Sequence, residues 1–148
     1  MSVQDSMPQR TLIVLGVDMS RDIKSKEILA RYAAGERIFR DLDRGDGIYD
    51  FSHSDLRGAI FTGNHLFASF REANLERADF SHCNVKTSDF SQANLASATF
   101  FGSAIDAAVF DGADLTGTIF EGASAFGYVF GKDELPPRGL HGNSRVIF

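Results

Sequence analysis

From Phe70 onward every fifth residue is apolar: Phe70, Leu75, Phe80, Val85, Phe90, Leu95, Phe100, Ile105, Phe110, Leu115, Phe120, Ala125 and Phe130. Helical residues turn by about 100° each, so five steps would leave successive members roughly 140° apart with no common face. The spacing excludes a helix here. Upstream the series continues through Phe51, Leu56, Phe61 and Leu66, with one residue missing between Leu66 and Phe70, which makes 17 units. The position two before each centre is small, as at Ala73, Ala78, Cys83, Ser88, Ala93 and Ala98. Residues two apart share a side of an extended chain, so each unit reads as a very short strand with one small and one large side chain inward, then a corner. Gly58, Gly63, Gly102, Gly112, Gly117, Gly122 and Gly127 sit two after a centre, where a tight bend favours a residue without Cβ.

Written in fours, the centres sort by chemistry. The first column is Phe51, Phe70, Phe90, Phe110, Phe130 and the third is Phe61, Phe80, Phe100, Phe120. The second is Leu56, Leu75, Leu95, Leu115, and the fourth is Leu66, Val85, Ile105, Ala125. With 14 Phe in 148 residues, nine Phe in nine chosen places has a chance of about 10⁻⁹. The period is therefore four units, one turn of a four-sided coil. At ~4.8 Å per turn, a little over four turns make a column roughly 20 Å long. The centres read as core, and Cys83 reads as packing in a small inward position rather than as a reactive thiol. The missing residue reads as one tightened corner, beside Asn64 and His65.

The strings Ala73-Asn74-Leu75-Glu76-Arg77, Ala78-Asp79-Phe80, Ala93-Asn94-Leu95 and Ala113-Asp114-Leu115 resemble the pentapeptide-repeat proteins. The resemblance covers 49–131 and implies an all-β fold, a right-handed quadrilateral parallel β-helix of about four coils with an N-terminal cap containing a helix. It says little about activity, because similar coils serve unrelated roles. Some members protect type II topoisomerases by imitating the shape and charge of DNA.

Both ends of such a coil expose strand edges and apolar rings, so caps are expected. The chain divides into a cap at 1–48, repeats at 49–131 and a tail at 132–148. Ser25 is placed to cap a helix through Lys26–Ala34, Gly35 suits its exit, and Ile28, Leu29, Tyr32 and Ala33 would face the first turn. Arg40–Ile48 reads as an extra charged loop, and Thr11–Val17 as a strand without an identified partner. Pro136-Pro137 stops regular structure, leaving Arg145–Phe148 to fold back or to meet another chain.

Chemistry is sparse. His53, His65, His82 and His141 fall on different sides or in the tail, with no triad or metal spacing. Asp41, Asp43 and Asp46-Gly47 miss a calcium loop's spacing by one residue and lack its glutamate, so a solvated turn is expected. Phosphate and dinucleotide loops are absent from the sequence, and no catalytic residue, cofactor or metal is expected. One cysteine gives no internal disulfide, and no apolar run approaches the ~18 residues of a membrane span. The expectation is a cytoplasmic protein without membrane attachment.

The net charge is −5, which argues against direct nucleic-acid binding. Residues 49–131 hold ten acids and four bases, and Thr87–Gly131 holds no base, only Asp89, Asp106, Asp111, Asp114 and Glu121. A 20 Å duplex carries about 12 phosphates, twice this net charge, and the acids are spread over all sides. Arg57 beside Glu76 and Lys86 beside Asp106 read as pairs between turns. Asp89, Asp111 and Asp114 remain one candidate patch. Phe67, Phe101 and Phe126, each one after a centre and so outward, are the other, with Phe101 near Ile60 and Ile119. The expected function is a non-enzymatic, rigid surface for another protein, as monomer or homodimer. The alternative is a DNA mimic acting on gyrase.

Overall fold

The computed structural model describes residues 20–40, 42, 43, 45 and 47–137. Its order is a helix α1 (Ser20–Ala33) and four two-residue strands, β1 (Tyr49–Asp50), β2 (Ala68–Ser69), β3 (Ser124–Ala125) and β4 (Tyr128–Val129). Most of the repeat region forms isolated parallel bridges, because a five-residue unit spends most of its length turning. The bridges line up in four ladders. One runs Asp55, Asn74, Asn94, Asp114 and the next Ile38, Ile60, Asp79, Thr99, Ile119. A third runs His65, Asn84, Ala104, Ser124, and the fourth Asp50, Ser69, Asp89, Val109. Within the repeats, partners lie 19 residues apart in the first rungs and 20 thereafter, as in Asp55–Asn74 and Asn74–Asn94, whereas the rung from the cap, Ile38–Ile60, spans 22. The four-unit period is thus met in the pairing itself.

The core is the expected stack of like side chains. Phe70–Phe90 and Phe90–Phe110 lie 5.0 and 5.2 Å apart, each with planes 5° from parallel. Phe80–Phe100 and Phe100–Phe120 lie 5.0 and 4.9 Å apart, at 8° and 2°. The two stacks meet edge to face, at 90° for Phe90–Phe100 and 89° for Phe110–Phe120, which sets positive ring edges against negative faces. Near the start the order loosens, with Phe51–Phe61 at 39° and Phe61–Phe70 at 64°. That is where the coil is one residue short.

The tightened corner has a visible mechanism. Nearly every other corner holds one residue at positive φ two after its centre, for example Gly63 and Glu72, and none lies between Leu66 and Phe70. Elsewhere the small residue's N–H donates to the preceding centre's carbonyl, as Ala73 does to Phe70 at 3.0 Å. Ala68 instead donates to Ser88 Oγ one coil on, at 3.2 Å. Ser88 stands where most units carry Ala, and it receives the donor that the shortened corner leaves over.

The cap differs from expectation at its start. The helix begins at Ser20, not after Ser25. Ser25 lies within it, buried, and its Oγ accepts the Asp50 N–H at 2.9 Å. Serine competes for backbone bonds and often caps helices. Here that bonding capacity is spent on β1. Ile28, Leu29 and Tyr32 pack on the core, whereas Ala33 is exposed. Gly35, at φ +104°, ends the helix as expected, with its N–H donating to Tyr32 O and that of Glu36 to Arg31 O, both 3.0 Å. Phe39 then stacks on Phe61 at 5.6 Å, and Tyr49 on Phe51 at 5.8 Å, so both phenylalanine columns gain a closing ring. Asn64 occupies a small inward position. Its Nδ2 donates to Phe39 O at 2.5 Å and its Oδ1 accepts the Leu42 N–H at 3.4 Å.

At the far end the series breaks direction. β3 pairs with β4 antiparallel, so Phe130 comes back beside Ala123 and does not open a further parallel rung; its ring lies 6.3 Å from Phe120. The expected strand at Thr11–Val17 and the terminal Arg145–Phe148 lie outside the described residues.

Candidate functional site

Each ladder residue points outward, and its chemistry follows from the corner it precedes. Asp55, Asn74, Asp79, Asn84, Asp89, Asn94 and Asp114 each accept, through Oδ1, the N–H two residues on, at 2.8–3.3 Å. This Asx turn satisfies a donor as the chain bends and accounts for the recurrent Asn or Asp before each centre. Thr99 does the same with Oγ1, for Phe101 N–H at 3.2 Å. Ile60 and Ile119 have no such atom. On the side built from Ile38, Ile60, Asp79, Thr99 and Ile119, both isoleucines forgo a bond that the fold supplies at most equivalent places. Ile119 is 48% exposed and Ile38 47%.

Phe101 belongs to the same side. Phe100 N–H donates to Ile119 O at 2.7 Å and Gly102 N–H to Glu121 O at 3.1 Å, so 99–102 runs directly beside 119–122. Phe101 is 44% exposed, and its ring meets His82 edge to face at 5.6 Å. Gly102 leaves room for that histidine, since a Cβ there would stand 2.8 Å from His82 Nδ1. Of the other expected aromatic positions, Phe126 is 70% exposed in the β3–β4 turn, seven residues after Ile119 and past the last parallel rung. Phe67 is half-buried at the tightened corner, its carbonyl taking the Tyr49 N–H. The three phenylalanines therefore occupy three separate settings. Val129, exposed on β4, was not signalled by the five-residue series because it lies on the antiparallel return.

The acidic candidates are partly compensated. Arg71 Nη1 reaches Asp89 Oδ2 at 3.0 Å from the coil before. Burial pushes the Asp89 carboxyl up, but the Ser91 hydroxyl and N–H, with Arg71, outweigh it and hold the group below the usual range. Lys86 pairs with Asp106 at 3.6 Å, as expected. Arg57 does not reach across to Glu76; it pairs at 2.8 Å with Asp55 in its own unit, because two residues span a corner more closely than two coils. Asp111 sits at the corner after Phe110, and Asp114 at the last rung of its ladder, accepting from Thr116.

His53 does meet a carboxylate, outside any triad. Its Nδ1 lies 3.2 Å from Glu72 Oε2 on the next coil, both exposed, with no third group aligned on them. Cys83 is buried, donates to Phe61 O at 2.9 Å, and burial pushes its thiol up to about 12. Asp43 Oδ1 accepts the Gly45 N–H, a local turn. Among the described residues no His, Cys, Asp and Glu cluster suits a metal, and no helix is long and apolar enough to cross a membrane.

Residues 68–104 and 93–125 match the family of pentapeptide repeats, in 8 copies. No curated protein matches the sequence. Among solved structures, the chain is similar to HetL, a pentapeptide repeat protein involved in heterocyst differentiation regulation from the cyanobacterium Nostoc sp. strain PCC 7120. The two are 30% identical over 55% of this chain, with a TM-score of 0.51, and the match spans 39% of HetL's length. A pentapeptide repeat protein of the Arabidopsis thaliana thylakoid lumen is 25% identical over 57% of this chain and 68% of its own, at a TM-score of 0.29. QnrB1, a plasmid-mediated fluoroquinolone resistance protein, is 18% identical over 58% and 61%, at 0.20. The last two superpose too poorly to bear on function. The matched units are among those that build the four ladders, and residues 68–125 are pentapeptide repeats.

Proposed function

We propose that this chain is a non-enzymatic scaffold, a right-handed four-sided coil of about four turns, closed by a cap at 1–48, that presents one lateral side to another protein. The observation that carries the reading is Ile60 and Ile119, on one side and each placed where an Asp or Asn would satisfy a corner N–H, with a half-exposed Phe101 beside Ile119. A local rule broken without a folding gain points to function. Phe126 and Val129 are also exposed, in and after the β3–β4 turn. Affinity capture from the source organism tests the reading. A partner retained by wild type and by Asp111→Lys, but lost with Phe101→Asp, supports it; equal capture by all three contradicts it.

A second reading, imitation of DNA toward gyrase, is favoured by the absence of any base in 87–131. The ion pairs at Asp89 and Asp106 weaken it by returning charge to that surface. Gyrase supercoiling assays separate the two. Inhibition that rises with dose and falls in Asp111→Lys supports mimicry, and no effect at tens of micromolar sets it aside.

A further inference from the structure

The outward residues differ in kind from ladder to ladder. One carries Asp55, Asn74, Asn94 and Asp114, another His65, Asn84, Ala104 and Ser124, and a third Asp50, Ser69, Asp89 and Val109. Only the side with Ile38, Ile60 and Ile119 repeats large aliphatic groups. It also carries acids. Glu121 is exposed, lies one coil beyond Phe101, and has no cationic partner within 4.0 Å among the described residues. Asp79 lies between the isoleucines and uses Oδ1 only for the Ser81 N–H. The one base on the adjoining corner, Arg77, is turned to Glu76 at 3.8 Å. The side thus carries isoleucine at both ends, Asp79 and Thr99 between them, Phe101 and Glu121 beside its upper end, and no cation paired with either carboxylate among the described residues.

Spacing narrows the occupant. Ile60 and Ile119 are three rungs apart, about 14 Å at ~4.8 Å per rung. A helix lying along the coil axis repeats its contact face about every 5.4 Å, close enough to the rung spacing for three turns to follow the strip. Resting on the docking reading above, we propose that the partner element is a cationic amphipathic helix, its aliphatic face on Ile60, Phe101 and Ile119 and its lysines or arginines toward Asp79 and Glu121.

Fluorescence anisotropy on the full chain tests this, with a labelled helical peptide of about four turns made of Leu and Lys, and its counterpart with Glu in place of Lys. The Leu/Lys peptide is expected to bind wild type and to bind Ile119→Asn and Glu121→Lys at least about tenfold more weakly; the Leu/Glu peptide is expected not to bind. Leu/Glu binding that is lost in Ile119→Asn overturns the cationic assignment while leaving the side a docking surface. Leu/Lys binding that is equal on wild type and Ile119→Asn overturns both. No binding of either peptide overturns the cationic helix, and the capture experiment still decides the docking reading. Circular dichroism of each variant checks that the coil is intact.

Discussion

Ser88 shows how one side chain can follow from a deletion twenty residues away. Because the corner after Leu66 is short, the Ala68 N–H has no carbonyl to meet and donates to Ser88 Oγ. Ser88→Ala therefore leaves a buried donor unpaired and should cost about 1–3 kcal/mol in urea unfolding. Ser103→Ala is the control. Its hydroxyl donates to Phe100 O, which the Ser103 N–H already satisfies, so a loss under about 1 kcal/mol is expected. Cys83 has a distinct pH signature. Its thiol is pushed up to about 12, so its contribution is complete below the ordinary thiol range and fades as pH rises from about 9 towards that value. Wild type should lose stability between pH 9 and 11 relative to Cys83→Ala, and the native thiol should resist thiol reagents. Asp89 behaves in the opposite sense. Its carboxyl is held low, so its contribution is present above about pH 4 and is lost as the solution is acidified further. Asp89→Asn should flatten the acid limb of the stability profile, and an unchanged limb would contradict that assignment.

At the scale of elements, the sequence carried the periodic parts and missed those set by tertiary packing. The ladders, the stacked rings, the glycine corners and the Gly35 exit were legible because a five-residue unit writes its inward, outward and corner positions in fixed order. The helix start was not, since Ser25 is a credible cap by type and only the Asp50 N–H beside it shows another use. The antiparallel return was hidden because Phe130 keeps the spacing although the chain has reversed around Phe126 and Gly127. Asn64 drew attention only as a neighbour of the irregular corner. Its two hydrogen bonds, donated to Phe39 O and accepted from the Leu42 N–H, join cap to coil. Asn64→Ala should cost about 1–3 kcal/mol and raise hydrogen exchange first in 37–42, ahead of the coil. Uniform loosening of the whole chain would contradict a local clasp. For the candidate site, Phe101 with Ile60 and Ile119 was legible from position. The cost of placing isoleucine there was not, because the Asx bond it forgoes appears only in three dimensions.

For the molecule as a whole, the inside is uniform and the outside carries the distinctions. Two phenylalanine stacks set at right angles fix the coil, which leaves the four outward ladders free to vary with little effect on the core. One of them repeats isoleucine and the other three repeat no large aliphatic residue, and the scaffold reading depends on that difference. If Ile119 is kept for a partner, replacing it should leave folding nearly unaltered. The apolar burial given up at this half-exposed position is modest, and an Asx bond from Asn to the Glu121 N–H offsets it. The most direct measurement is the urea unfolding free energy of Ile119→Asn. A value within about 1 kcal/mol of wild type is the result the scaffold reading predicts, whereas a loss of about 3 kcal/mol or more, the size of a core truncation, would make Ile119 a structural residue and contradict it.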